Sequence, residues 1–325
     1  MAQWIRILSI DGGGIRGLIP ATVLAEIEKR TGKPIARLFH LIAGTSTGGI
    51  LALGMTKPGE DGNPQFTAED GVRLYENEGP KIFPQSIWQR MRSMTEEKYP
   101  SAPMETVLEA YFGNARLKDA LTNVFITSYE IERRAPWFFR SYRAKEDPAY
   151  DFPMKQVARS TTAAPTYFEP SRIDTESLSD YWALIDGGVF ANNPAMCAFV
   201  DAKGLYPDAT HFLLVSLGTG EATRRIRYQD AVGWGLAGWA QPVLNIVFQG
   251  VSATVDYQLR QLLPEIEGTQ CYYRFQPRLD DNTDDMDNTS EDNMRALKLA
   301  AEALIHDSDR ALDNLCQFLI ADSNG

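Results

Sequence analysis

The residue best placed to do chemistry is Ser46, framed as Gly44-Thr45-Ser46-Thr47-Gly48. Glycines two places either side of a serine suit a sharp strand-to-helix turn that lifts the hydroxyl clear of the backbone, the nucleophile elbow of acyl-transfer chemistry. A serine hydroxyl attacks an ester only with a base beside it. The chain has three histidines, and none suits. His40 falls inside the strand-like run before the elbow and is expected to point into the sheet. His211 precedes another strand at an expected surface position, and His306 lies among polar residues on a C-terminal helical pattern. A carboxylate can take the proton directly if it lies within hydrogen-bond reach and partial burial raises its pKa. Asp186, in Asp186-Gly187-Gly188 directly after the strand-like YWALI, ends a strand in a permissive loop. By exclusion it is the expected base.

A second glycine string, Asp11-Gly12-Gly13-Gly14-Ile15-Arg16-Gly17, lies between a strand and a helix. Read as G-x-G-x-x-G it suits a dinucleotide, which would make the chain a cofactor-binding module and would show as NAD or FAD binding. That fingerprint needs an acidic residue at the end of the next strand. Here the next strand ends in Gly44-Thr45-Ser46 instead. The other use of such a turn is electrostatic: free backbone N–H groups at a helix start stabilise an oxyanion. Gly13 and Gly14 are the expected donors, and Arg16 braces the loop or assists with charge.

Apolar β-rich runs alternate with helical patterns along the chain, as in a sheet covered by helices on both faces. Strands are expected at 4–10, 38–44, 123–131, 136–142, 181–186, 211–218 and 271–276. Helices are expected from about Leu18 to Arg30, after Ser46, and over 237–263. On the last, Leu244, Phe248, Val251, Val255, Leu259 and Leu262 form an apolar stripe, and Asn245, Gln249, Ser252, Asp256 and Arg260 a polar one. No linker or repeat divides the 325 residues, so one domain is expected. Net charge −11 argues against a nucleic-acid partner. Cys197, Cys271 and Cys316 give neither a disulfide framework nor metal-ligand spacing. No run approaches the roughly 20 apolar residues of a membrane span, and the first residues lack a basic-then-apolar leader, so a cytoplasmic protein is expected.

Taken in order, D-G-G-G-x-R-G, G-T-S-T-G-G, Thr162-Ala163-Ala164-Pro165-Thr166-Tyr167-Phe168 and D-G-G-V-F-A-N-N-P resemble the patatin-like phospholipase family. The motifs cover residues 5–57 and 157–195; the remainder is similar only in layout. The resemblance implies a three-layer α/β/α fold with a mainly parallel central sheet, and core motifs in 5–195 with a helical region at about 237–321 packed on them. It implies Ser46 as nucleophile, Asp186 as base and the loop glycines 12–14 as oxyanion hole. Gly44, Gly48, Gly187 and Gly188 support the two catalytic groups, and Asn192, Asn193 and Pro194 hold the aspartate's loop. The implied activity is hydrolysis of phospholipid or lysophospholipid acyl esters through an acyl-enzyme, with no metal or organic cofactor. Acyl transfer on the same fold is the neighbouring alternative. The chain also resembles patatin-like effectors that antiviral nucleotide-signalling systems switch on, which would be silent until a small nucleotide binds.

Three further features read more simply. Asp280, Asn282, Asp284, Asn288 and Glu291 occupy calcium-loop positions, but Asp285 stands where that loop needs glycine and Asp287 where it needs an apolar residue. An Asx-rich turn leading into a helix is the expectation. Segments 82–94 and 224–239 mix tryptophan with arginine and could dip into a lipid interface, as a transient membrane contact. Packing against the core is the expectation for both, and the second, with its glycines, is the better candidate to dock.

Overall fold

The computed structural model describes residues 4–83, 99–174, 180–223, 225–280, 283 and 285–321. Its sheet is built from β1 (Trp4–Ile10), β2 (Leu41–Gly44), β3 (Asn123–Glu130), β4 (Ala135–Arg140), β5 (Ser171–Asp174), β6 (Tyr181–Asp186), β7 (His211–Leu217) and β9 (Tyr272–Phe275). The spatial order is β5-β6-β3-β2-β1-β7-β9, with β4 also paired to β3. The short β8 (Glu221–Ala222) and β10 (Arg278–Leu279) pair separately. Strands β9, β7, β1, β2 and β3 run parallel, while β4, β5 and β6 join antiparallel.

Alternate residues of the parallel strands feed two separate cores. Ile5, Ile7, Leu41, Ala43 and Phe125 pack on one face, with the helices Ala195–Leu205 and Leu236–Leu262 over them. Leu8, Ile10, Ile42, Val124 and Ile126 pack on the other, under the helices Leu18–Thr31, Thr47–Thr56, Ala68–Ile82, Met154–Thr161 and Glu291–Asp307. A period of two, apolar on both faces, is what a parallel strand covered on both sides requires. The result is three layers, α/β/α.

Register decides where the site falls. Ile10 of β1 lies opposite both Gly44 of β2 and Leu217 of β7, so these three strands end at one level. Ligands in open α/β sheets sit outside such carboxyl ends. The antiparallel arm supplies the other half. β2 ends opposite Ile126 of β3, and β6 ends with Asp186 opposite Ser128. Because β4 holds the opposite edge of β3 over 125–130, β2 and β6 meet head to head along one edge. A two-residue step along β3, from Ile126 to Ser128 and about 7 Å, separates their ends.

Some boundaries differ from expectation. The run 38–44 is strand only over Leu41–Gly44; Ile35–Leu38 is a helical turn entered through Pro34. Leu38 and Phe39 are buried, and a short buried apolar run does not distinguish strand from helical turn. His40 therefore precedes the strand instead of lying within it, and its Nδ1 accepts the Arg6 N–H at 3.0 Å. The stretch expected as strand to 142 ends at Arg140, and Ser141–Glu146 is helical. The long helix is Leu236–Leu262, but Leu262 is exposed and Ser252 buried, the reverse of the two stripes. Most of 82–94 lies outside the described residues, as do Asn282 and Asp284. Among the described residues no helix is long and apolar enough to cross a membrane.

Candidate active site

Ser46 leaves β2 through Thr45 and caps the helix Thr47–Thr56 with φ 53° and ψ −122°. A side-chain-bearing residue rarely takes this backbone, and its surroundings must over-determine it. They do. A Cβ added at Gly44 would fall 2.3 Å from the Gly48 carbonyl oxygen, and one at Gly48 would fall 2.2 Å from that of Ile10. Only glycine fits either place, which is why the G-x-S-x-G spacing is needed here. The Ser46 N–H donates to Thr161 Oγ1 at 2.8 Å, and the Thr161 hydroxyl donates to the Thr127 carbonyl at 2.7 Å. Thr45 Oγ1 lies 2.7 Å from Thr127 Oγ1. The turn is thus bolted to β3, the strand that also carries β6.

Asp186 arrives on β6 and is 3% exposed. Its N–H donates to the Ala163 carbonyl at 3.0 Å, and its carboxylate accepts the Gly188 N–H at 2.7 Å and lines the same cleft as Ser46. Burial pushes the carboxyl up to about 7, against the Ser46 hydroxyl and the Gly188 N–H, which pull it down. Gly187 precedes the short helix Gly188–Ala191 that turns this N–H inward. The serine and the carboxylate named from sequence are brought together.

The glycine loop is brought to the same place with one change. The Gly12 N–H donates to the Asn192 carbonyl at 2.9 Å, so it is already used and does not face a ligand. Gly13 and Gly14 line the cleft beside Ser46, and neither N–H has a partner among the described residues. Arg16 is buried, and its Nε donates to the Gly13 carbonyl at 3.4 Å; it braces the loop and is not part of the cleft wall. Asn192 Nδ2 reaches the Gly12 carbonyl at 3.3 Å, and Asn193 Oδ1 accepts the Ala195 N–H at 3.0 Å. Both hold backbone.

The histidines are remote for a reason of topology. His211 opens β7, stacked on Trp4 at the start of β1 with ring centroids 4.9 Å apart, and His40 pairs with Arg6. Both lie toward the amino ends of strands whose carboxyl ends, up to about 20 Å away, carry the site. His306 is an exposed side chain near the end of the helix Glu291–Asp307.

A cleft of about 830 Å³, counting the space at its mouth, opens over Ser46 and Asp186. Ile50, Leu74, Phe83, Met104, Phe168 and Phe248 are among its walls. Apart from Asp186, none of its described lining residues is charged. The Thr162–Phe168 stretch contributes five of its residues, and Met286 closes one side, its carbonyl accepting the Ile15 N–H at 2.8 Å. The acidic segment around Asp287 is accordingly engaged in packing, with Tyr99 OH donating to Asp287 Oδ2 at 2.9 Å.

Sequence reasoning missed what lies beneath the glycine loop. Asp11 accepts two bonds from the Arg274 guanidinium, at 3.0 and 2.6 Å, and one from Ser252 at 3.2 Å; Asp11 and Ser252 are buried and the Arg274 side chain is 6% exposed. The one available signal was an arginine inside the buried strand YYRF, since a buried cation needs a carboxylate partner.

The model of the family described as patatin-like phospholipase matches residues 8–199. "Patatin-like protein 2" of Arabidopsis thaliana is 35% identical over 306 residues, covering 84% of this chain and 75% of that protein. "Patatin-like protein 1" of Oryza sativa subsp. indica is 35% identical over 338 residues, 93% of this chain and 81% of that one. The solved structure of VipD from Legionella pneumophila aligns with 93% of this chain and 67% of its own, at TM-score 0.46 and 13% identity. On the family match and these relatives, the chain belongs to the patatin-like phospholipase family.

Proposed function

We propose that Ser46 and Asp186 form the catalytic dyad of a lipid acyl hydrolase that cleaves carboxylic esters of phospholipids or lysophospholipids. Family membership indicates lipid acyl hydrolysis; the dyad, the acyl-enzyme and the glycerolipid substrate are the further steps. The observation that carries them is the Ser46 hydroxyl set beside a buried carboxylate whose pKa burial pushes up to about 7. A base poised near neutral pH is half ionised there and takes a proton efficiently. Ser46 Oγ attacks the ester carbonyl as its proton passes to Asp186, and the N–H groups of Gly13 and Gly14 receive the developing oxyanion. The proton then goes to the departing alcohol, leaving the acyl group on Ser46. Asp186 next draws a proton from water as it attacks the acyl carbonyl, and returns that proton to Ser46 Oγ as the acyl–Oγ bond breaks and the fatty acid leaves. Lining residues that are apolar except near the reacting atoms suit a hydrocarbon chain.

A long-chain alkyl fluorophosphonate tests the nucleophile, because an activated serine displaces its fluoride and stays labelled. One adduct, mapping to the peptide that contains Ser46 and absent from Ser46→Ala, is expected by mass spectrometry. Labelling at another serine, or none in protein that releases fatty acid, would remove Ser46 from the role. Thr161→Val probes positioning. It keeps the shape but strands the Ser46 N–H and the Thr127 carbonyl, a cost of about 2 kcal/mol in stability. A looser elbow lowers kcat by roughly tenfold with KM within about twofold. A change in KM alone would mean that Thr161 shapes substrate binding instead.

A further inference from the structure

The helix Leu236–Leu262 has two faces that do different things. Its inner face puts Leu244 and Phe248 into the cleft wall and Val255 and Leu259 into the core. On its outer face, Leu236, Trp239, Val243 and Ile246 recur at helical spacing and are all exposed, Leu236 by 96% and Ile246 by 45%. The turn that precedes the helix adds Tyr228 and Val232, the latter 67% exposed. Among the described residues of 224–239, Tyr228, Val232 and Leu236 are therefore not packed on the core, while Trp239 is partly covered by Trp234, ring centroids 5.2 Å apart. The 25 residues 231–255 contain no Asp, Glu, Lys or Arg, in a chain that is 23% charged. A water-facing helix ordinarily carries charges on its outer side.

We infer that this outer face, with the turn before it, seats the protein on a lipid–water interface so that the mouth of the Ser46 cleft opens onto the bilayer. The inference rests on the reading of that cleft as a lipid acyl site, and continuity is its first support. Val243 on the outer face is next in sequence to Leu244 in the cleft wall, so a bilayer meeting one lies beside the entrance to the other. Charge is the second. The protein carries a net −11, yet residues 221–260 hold four arginines against three carboxylates, with Arg225 and Arg227 beside the exposed turn. This is the part of a repelled molecule that an anionic or zwitterionic headgroup layer tolerates, and tryptophan with arginine favours headgroup depth. Area is the third. The stripe Leu236–Ile246 is about 15 Å long and one helix, about 10 Å, wide. Even doubled by the turn, that falls well short of the roughly 800 Å² per partner of a stable protein interface. It does suit an amphipathic helix lying in a membrane surface.

The test compares the wild type with Leu236→Glu/Ile246→Glu, and with Val200→Glu as a control at an exposed apolar site on another helix. Three readouts apply: flotation with vesicles of phosphatidylcholine alone or with 30 mol% phosphatidylglycerol, fatty-acid release from those vesicles, and turnover of monomeric p-nitrophenyl butyrate. The double variant is expected to lose vesicle binding and vesicular release by about tenfold or more. Its p-nitrophenyl butyrate turnover is expected within twofold of wild type, and Val200→Glu should match wild type throughout. Unchanged vesicle binding in the double variant, or no binding by the wild type, overturns the inference. So does a wild-type dimer by light scattering that the double variant makes monomeric without loss of vesicular release, which would assign the face to a second copy. Vesicle binding that depends on these residues in a protein inert toward both substrates leaves the docking face standing and rejects the proposed hydrolase.

Discussion

Asp186→Asn is expected to lower fatty-acid release from phospholipid vesicles by about 10³-fold while raising the protein's melting temperature at pH 8. The loss follows from removing the base, an effect of roughly 10² to 10⁴. Ser46→Ala removes the covalent route and is expected to lose about 10⁴-fold or more. The gain follows from the same burial that makes Asp186 useful. Below pH about 4 its carboxyl is neutral in both the folded and the unfolded chain, and the fold loses nothing. Between about 4 and 7 the unfolded chain gives up its proton while the fold keeps it, because burial holds the native pKa near 7. Stability from this group is therefore lost as pH rises, and above 7 the fold carries the whole penalty, at most roughly 4 kcal/mol. Asparagine has no proton to lose and escapes it. The difference in stability between Asp186→Asn and wild type should grow from near zero at pH 4 to its full value at pH 8. Wild-type kcat/KM should rise about tenfold per pH unit below 7 and level above it. A rate flat between pH 5 and 8, or an Asp186→Asn variant no more stable at pH 8 than at pH 4, would mean that Asp186 is ionised like a surface carboxylate and is not the base.

The parts of this arrangement that were legible in sequence are those set by residues close in the chain. Gly44 and Gly48 are required by contacts within the elbow and with the end of the adjoining strand, so the motif carries its own reason. Asp186 was reachable because the three histidines could be dismissed one at a time, and the strand order supplies a physical ground for that dismissal. What could not be read is what the fold brings from afar. Nothing around Thr161 announces that its hydroxyl holds the Ser46 N–H, 115 positions away. Gly12 belongs to the same glycine string as Gly13 and Gly14, yet a carbonyl 180 residues on takes its N–H and leaves theirs. The long helix shows the same limit. Its apolar period was readable, but Ser252 is drawn inward by the Asp11–Arg274 pair, and the exposed face begins where the core beneath the helix stops.

That pair carries the second large effect. Asp11 and Arg274 join the end of β1 to β9 beneath the glycine loop, with Ser216 and Ser252 accepting two further guanidinium N–H bonds at 2.8 and 3.0 Å. Their side chains are 2% and 6% exposed. Removing one member of a buried pair costs about 3–5 kcal/mol, because the other is left charged without a partner. The two single variants should nonetheless differ. Asp11→Ala strands a guanidinium, which does not deprotonate, so the full cost is expected at any pH. Arg274→Met strands a carboxylate, which can take up a proton. Its folded pKa then stands above the unfolded value, so the fold suffers little near pH 4 and loses stability as pH rises through that folded pKa. Thermal melts at pH 5 and pH 8 should therefore show Asp11→Ala destabilised about equally at both, and Arg274→Met destabilised mainly at pH 8. Against a total of about 5–15 kcal/mol, Asp11→Ala could leave little folded protein at 37 °C. Soluble variants should also lose activity, since the loop that positions Gly13 and Gly14 starts at Asp11. Losses under about 1 kcal/mol in both would mean that water reaches the pair in solution, and the glycine loop would then need some other anchor. The pH asymmetry is the sharper discriminator, because ordinary loss of packing would show none.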